Sequence, residues 1–110
     1  SSCFVSHNLG HGDPRVVAAI ERQLHELPSF APVFSTRPRA LLAKLLAEVT
    51  PGDLSRSFIT PGGAEAVEAA LKIAQQYTGR RKVITHYQTY HGGTAAAMSA
   101  SGGDPRSWAQ

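Results

Sequence analysis

Residues 58–72 decide the fold of this chain. They run Phe58-Ile59-Thr60-Pro61-Gly62-Gly63-Ala64-Glu65-Ala66-Val67-Glu68-Ala69-Ala70-Leu71-Lys72. The short apolar run over residues 57–60 predicts a strand, the glycines predict a turn, and the alanine-rich stretch predicts a helix that ends at Gly79. A second apolar run over residues 83–86 predicts another strand. The order is β-α-β, so we expect an α/β fold with a parallel pair of strands and a right-handed crossover.

The glycine turn is suited to binding an anion. A helix N-terminus presents unpaired N–H groups and the positive end of the helix dipole. Gly62 and Gly63 let the backbone approach an anion closely, Ala64 adds an amide at little steric cost, and Thr60 could add a hydroxyl. The alternative is a plain tight turn. The Walker A pattern and the three-glycine dinucleotide fingerprint are both absent from the stretch.

A second candidate segment, residues 87–93, follows the second predicted strand. It contains Tyr90 and His91 followed by two glycines. In an open parallel sheet this loop and the glycine turn lie at the same carboxyl edge, so we expect them to be neighbours. The Tyr90 ring could cover a heteroaromatic ligand, and Tyr87 competes for that place. The alternative is that Tyr90 and His91 serve packing and hydrogen bonding.

Helical periodicity dominates the N-terminal half of the chain. Apolar spacing predicts a helix from Asp13-Pro14 to about Pro28, with Asp13 as its cap and Pro14 at its first position. Residues 29–35 lack a period and are interpreted as an irregular connection. A second helix is predicted from Thr36 to the Pro51-Gly52-Asp53 stop. We therefore divide the chain into an N-terminal helical segment, residues 1–50, and the start of a larger domain, residues 51–110.

Composition narrows the class of protein. Of the 110 residues, 42% are hydrophobic and 17% are charged, which is typical of a globular chain. The net charge of +3 comes from scattered basic residues, so we expect no nucleic-acid partner. A single cysteine, with no membrane-length or signal-like apolar run, favours the cytoplasm. The five histidines lack metal-ligand spacing. The start at Ser1-Ser2-Cys3 indicates that residues are missing upstream.

Three motifs resemble those of the class III (ω-type) aminotransferases of PLP fold type I. The segment 8–16 is similar to the family's early "GH-x-P-x-V" stretch, and residues 58–72 are similar to its "F-x-(N/S)-(S/G)-G-(S/A)-E-A-x-E-A-A-(L/I)-K" signature. Residues 90–92 match its "(Y/F/W)-H-G". The motifs occur in family order and at family-like distances. The resemblance implies a partial large domain of that fold type, with an incomplete parallel sheet and helices.

The resemblance also implies a pyridoxal 5'-phosphate (PLP) site. By comparison with relatives, the amides of Gly63 and Ala64 would hold the phosphate, with Gly62 beside them. Tyr90 would stack on the pyridine ring and His91 would lie near it. Pro61 stands where the family has Asn or Ser, and Ala64 replaces a frequent Ser, so a hydroxyl contact to the phosphate would be lost.

No catalytic residue of the family is expected in this chain. Lys44, Lys72 and Lys82 match no catalytic motif and are interpreted as surface charges. The lysine that carries the cofactor lies much later in relatives, so the chain resembles the first quarter of a member and should be inactive alone. The resemblance implies transfer of an amino group from a small amine or amino acid to a keto acid, in a homodimer. The alternative is a truncated, non-catalytic module for anion binding or interaction.

Overall fold

Helices make up the regular structure between residues 6 and 103, the part of the chain that the computed structural model describes. The chain divides into two units, Ser1–Asp53 and Leu54–Gln110. The helices in the described range are α1 (Pro14–Glu26), α2 (Arg37–Val49), α3 (Gly63–Thr78) and α4 (Ala95–Ala100).

The first unit contains the two helices that periodicity predicts. Helix α1 begins as expected, because the Asp13 carboxylate accepts a hydrogen bond from the Arg15 N–H at 2.9 Å and Pro14 occupies the first turn. It ends at Glu26, where the Leu27 N–H donates to the Gln23 carbonyl. The predicted bounds of α1 are therefore confirmed to within two residues.

Helix α2 begins after Thr36, which caps through its backbone and makes no side-chain cap hydrogen bond. The irregular segment before α2 is hydrogen-bonded to this helix, because Arg39 Nη1 donates to the Pro32 carbonyl at 2.8 Å. Apolar side chains of both helices remain about half exposed within the unit, so each helix keeps an uncovered apolar face. These side chains include Ile20, Leu24, Leu41 and Leu45.

The second unit is organised around α3. This helix ends where the sequence predicts, since Gly79 adopts the left-handed conformation with φ 68° and its N–H donates to the Gln75 carbonyl. The small-residue segment that follows residue 93 forms a short helix, α4, which the sequence left unassigned. The side chain of Ala97 in α4 is fully buried, with Gly92 and Ser101 buried beside it.

The predicted parallel pair of strands is wrong for this structure. Residues 57–60 and 83–86 have no strand structure, and the β-pairing within residues 6–103 is one parallel bridge between Tyr87 and Gly102. A strand is stable only when its backbone groups pair and one face is covered. Here Phe58 is 74% exposed and Ile84 99% exposed, so neither segment has a covering layer. The expected α/β sheet is therefore reduced to helices joined by irregular segments.

None of the helices between residues 6 and 103 has the length and apolar character that a membrane crossing requires.

Candidate functional site

The N-terminus of α3 carries backbone amides that are not used in hydrogen bonds within the described part of the chain. Gly62 is the N-cap, and no side chain caps this helix end. The N–H groups of Gly63, Ala64 and Glu65 have no acceptor among residues 6–103. A β-carbon built on Gly63 would meet no atom within 4 Å. The helix end therefore has unused donors, and the side-chain position of Gly63 is open.

The Thr60 hydroxyl stabilises this turn from inside. Thr60 Oγ1 donates to the Gly62 carbonyl at 3.0 Å, so its proton is used within the turn. The sequence suggested that the Thr60 hydroxyl could bind an anion. In this structure it donates within the turn instead.

A carboxylate also lies at this helix end. A β-carbon built on Gly62 would come 2.8 Å from Glu65 Oε2, so the Glu65 side chain folds back over the first turn. Negative charge is favourable there because the dipole of α3 is positive at its N-terminus. An anionic ligand would have to displace this carboxylate, which stands at the end of a flexible side chain and can move aside.

The loop that contains Tyr90 lies directly on the first turn of α3. Gly92 has φ +138°, and a β-carbon on it would come 2.6 Å from Ala64 Cβ and 2.7 Å from Ala64 Cα. Real β-carbons do not approach so closely, so glycine is required at position 92. The structure thus brings together the two segments that the sequence predicts to be neighbours.

Tyr90 and His91 are both exposed beside this contact. Tyr90 is 54% exposed, and its hydroxyl lies 3.7 Å from a β-carbon built on Gly93. The His91 N–H donates to Ser101 Oγ at 2.9 Å, and its Nε2 lies 3.4 Å from Thr85 Oγ1. The competing Tyr87 is 91% exposed and pairs through its backbone with Gly102.

Glu68 was missed by the sequence analysis. Its Oε1 accepts hydrogen bonds from the N–H groups of Ala96 at 2.8 Å and Ala97 at 3.3 Å. The nearby Thr94 hydroxyl, whose oxygen is buried without a hydrogen-bond partner of good geometry between residues 6 and 103, and then these two amides hold the pKa of the Glu68 carboxyl below its ordinary value. The available signal was the second glutamate of the Glu-Ala-x-Glu spacing in α3.

The lysines lie away from any buried environment. Lys44 is 74% exposed and stands 3.8 Å from Glu48 one helical turn later, and Lys72 and Lys82 are exposed. Groups of three or more His, Cys, Asp and Glu side chains that could hold a metal do not occur between residues 6 and 103.

Comparison with known proteins places the chain in a family. The model of the family "Aminotransferase class-III" matches residues 1–107. An uncharacterized aminotransferase of Archaeoglobus fulgidus is 42% identical over 93 residues, 84% of this chain and 22% of its own length. The acetylornithine aminotransferase of Halalkalibacterium halodurans is 42% identical over 97 residues, 88% of this chain and 25% of its own. The putrescine aminotransferase of Pectobacterium atrosepticum is 42% identical over 97 residues, which are 86% of this chain and 21% of that protein.

Solved structures agree with this placement. The (S)-enantioselective omega-transaminase of Thermomicrobium roseum superimposes with a TM-score of 0.81 at 36% identity, covering 92% of this chain and 24% of that one. A transaminase from the marine bacterium Virgibacillus superimposes with a TM-score of 0.82 at 33% identity, again covering 92% of this chain and 24% of that one. The chain belongs to the class-III aminotransferase family. It spans about a quarter of the length of the relatives it matches.

Proposed function

We propose that this chain supplies the phosphate-binding and ring-facing part of a PLP site in an aminotransferase. Class-III aminotransferases depend on PLP. The observation that carries the proposal is the contact of Gly92 with Ala64, which sets the Tyr90 loop beside the unpaired amides of α3. In this proposal residues 51–110 begin the large domain of PLP fold type I, and residues 1–50 form the helical segment before it.

The amides of Gly63 and Ala64 would bind the cofactor phosphate. They are neutral donors at the positive end of α3, their hydrogen bonds to a phosphate would be charge-assisted, and the side-chain position of Gly63 is open. Gly62 lies beside them, next to the Glu65 carboxylate that the phosphate would displace. A serine hydroxyl is not needed, because the backbone donors remain when Ala64 replaces it.

Tyr90 would present a ring face to the pyridine. Its side chain is 54% exposed, and the pyridine would stack on the exposed part of the ring. His91 lies next to it, with its N–H fixed by Ser101 and its side chain exposed. Of the two glycines that follow His91, Gly92 is packed against Ala64, whereas Gly93 is exposed beside the Tyr90 hydroxyl.

PLP supplies the electron sink for removal of the amino group from a donor and its return to a keto acid. The lysine that holds the cofactor is not among Lys44, Lys72 and Lys82, so we assign no catalytic residue to this chain. Its 110 residues alone should give no turnover. The donor and acceptor would be a small amine or amino acid and a keto acid, and the active protein would be a cytoplasmic homodimer.

A change at Gly63 tests the phosphate assignment. Gly63→Pro removes one N–H while proline remains compatible with the first turn of a helix, and the extended Gly62, φ −160° and ψ 171°, tolerates a following proline. We expect PLP affinity to fall about tenfold or more, because a hydrogen bond to a charged group contributes roughly 1.5–3 kcal/mol. Equilibrium dialysis of the polypeptide that carries this segment would measure the affinity.

The matched control for this test is Gly63→Ala. It keeps the amide and adds a β-carbon in open space, so PLP affinity should stay close to that of the unchanged protein. Equal affinity in the proline and alanine variants would contradict the phosphate assignment.

A further inference from the structure

Glu68 connects α3 to the segment that follows Tyr90. Its Oε1 accepts the N–H groups of Ala96 and Ala97, which lie 28 and 29 residues further along the chain. These amides belong to the first turn of α4. The N-cap residue Thr94 makes no side-chain cap hydrogen bond, so the acceptor at this helix end comes from the other helix.

The far end of α4 is joined to the Tyr90 loop. Ser101 Oγ donates to the Ala97 carbonyl at 2.9 Å and accepts the His91 N–H at 2.9 Å. Ser101 is buried, so its hydrogen bond to Ala97 is shielded from water and its hydrogen bond from His91 is partly shielded. A continuous set of contacts therefore runs from Glu68 through α4 to the backbone next to Tyr90.

Side-chain packing also connects α4 to the Tyr90 loop. Ala97 is fully buried, and a β-carbon on Gly92 would come 3.2 Å from Ala97 Cβ as well as against Ala64. The first turn of α4 therefore packs against the Tyr90 loop at Gly92, where this loop also contacts the phosphate-binding turn. A movement of α4 would move the loop.

We propose that Glu68 is a positioning residue of the cofactor site, which sets the distance of Tyr90 and His91 from the amides of α3 by anchoring α4. The inference rests on the proposed PLP site. Glu68 itself lies in the second turn of α3, outside the residues assigned to the phosphate or the ring.

The need for such an anchor follows from the size of α4. The helix has six residues, and isolated helices shorter than about 12 residues are marginal in water. A carboxylate that accepts two amides at the helix N-terminus is a charge-assisted cap and also complements the dipole. Removing it leaves α4 without its cap.

The first measurement uses the polypeptide that carries this segment, without cofactor. Amide hydrogen exchange should be about tenfold faster or more in Glu68→Ala than in the unchanged protein at Ala96, Ala97 and His91, given the free energy of a hydrogen bond to a charged group. Glu68→Gln keeps an oxygen acceptor and should give a smaller increase. Gln76→Ala, at an exposed position of the same helix, is the control and should change none of them. Unchanged exchange at His91 in Glu68→Ala would overturn the proposal.

The second measurement compares two probes, PLP and inorganic phosphate. Glu68→Ala should weaken PLP binding and leave phosphate binding unchanged, because the α3 amides stay in place and only the ring-facing loop moves. Equal loss of both affinities would mean that Glu68 supports the fold as a whole, which overturns the positioning role. If the unchanged protein bound neither probe, the proposed function would be wrong, and the exchange comparison would still decide whether Glu68 anchors the loop.

Discussion

Gly92 is the residue at which the two candidate site segments meet. Its φ of +138° and its contact with Ala64 leave no place for a side chain. The neighbouring Gly93 differs, since a β-carbon there would make only an ordinary contact with the Tyr90 hydroxyl at 3.7 Å. The two glycines therefore have separate roles, one steric and one permissive.

Substitution by alanine separates these roles. Gly92→Ala should lower the free energy of unfolding by about 1–3 kcal/mol, the usual cost of overpacking, with backbone strain in addition. Gly93→Ala should be close to neutral. Urea unfolding of both variants measures the difference, and equal midpoints would contradict the close approach of Gly92 to Ala64.

The Glu68 carboxyl gives a pH-dependent contribution to stability. Its pKa is lowered in the folded protein, chiefly by the nearby Thr94 hydroxyl and then by the hydrogen bonds from the α4 amides. The folded state therefore binds the proton less readily than the unfolded state, and the contribution is complete above the ordinary glutamate pKa of about 4.3. It is lost as the pH falls through the lowered pKa of the folded protein.

A comparison with Glu68→Gln tests this titration. The unchanged protein should be more stable than the variant at pH 7, and the difference should shrink as the pH falls below about 4. Urea midpoints at several pH values measure it. A difference that stays constant down to acid pH would show that the charge of Glu68 has no part in capping α4.

At the scale of elements, α3 shows how local chemistry fixes a helix. Its start is a glycine N-cap and its end is Gly79 in the left-handed conformation. We expect Gly79→Ala to destabilise the protein by about 1–2 kcal/mol, because a β-carbon is unfavourable at φ 68°. Gly79→Asn should cost less, since asparagine adopts this conformation more readily. Thermal unfolding measures both, and a neutral Gly79→Ala would contradict the assigned cap.

The helices could be predicted because their signals are local. Asp13 and Pro14 begin α1 and Gly79 ends α3, and each of these residues acts on its own turn. The absence of strands could not be predicted, because residues 57–60 and 83–86 would need neighbouring strands that the sequence pattern does not identify. An apolar run indicates that a segment can pair, and only the structure shows whether a partner lies beside it.

The candidate site was predictable in its residues and only partly in its contacts. Glycine spacing and the loop order led to Gly62, Gly63, Ala64, Tyr90 and His91, and the structure places the two segments together. Their binding of PLP stays a prediction. Glu68 escaped notice because a glutamate in an alanine-rich helix is ordinarily solvated, and its partners lie 28 and 29 residues away.

At the scale of the whole molecule, both units leave large apolar side chains exposed. Within residues 6–103 the buried hydrophobic side chain is Ala97, while the apolar faces of α1 and α2 and residues such as Phe58 and Ile84 are open. Such surfaces are normally covered by further structure. The 110 residues prepared alone should therefore bind the dye ANS strongly and associate as concentration rises. Weak dye binding by a monomer would contradict this expectation.

The mass of the native polypeptide tests the proposed function at this scale. An antibody against this segment should detect a polypeptide about four times as heavy as 11.7 kDa, since the matched relatives are covered to 22–25% of their length. A native mass near 11.7 kDa would favour the non-catalytic, anion-binding alternative.

The cap that Glu68 provides to α4 also implies an order of folding in the second unit, in which α3 forms before α4. The acceptor lies in α3 and its donors lie 28 and 29 residues later, so a loop must close before the cap exists. Helix α3, with 16 residues and its own glycine terminus, can begin to form from local contacts, whereas the six residues of α4 cannot. During synthesis the carboxylate leaves the ribosome before the amides that it binds. We therefore expect α3 to act as the template on which the nascent α4 is completed.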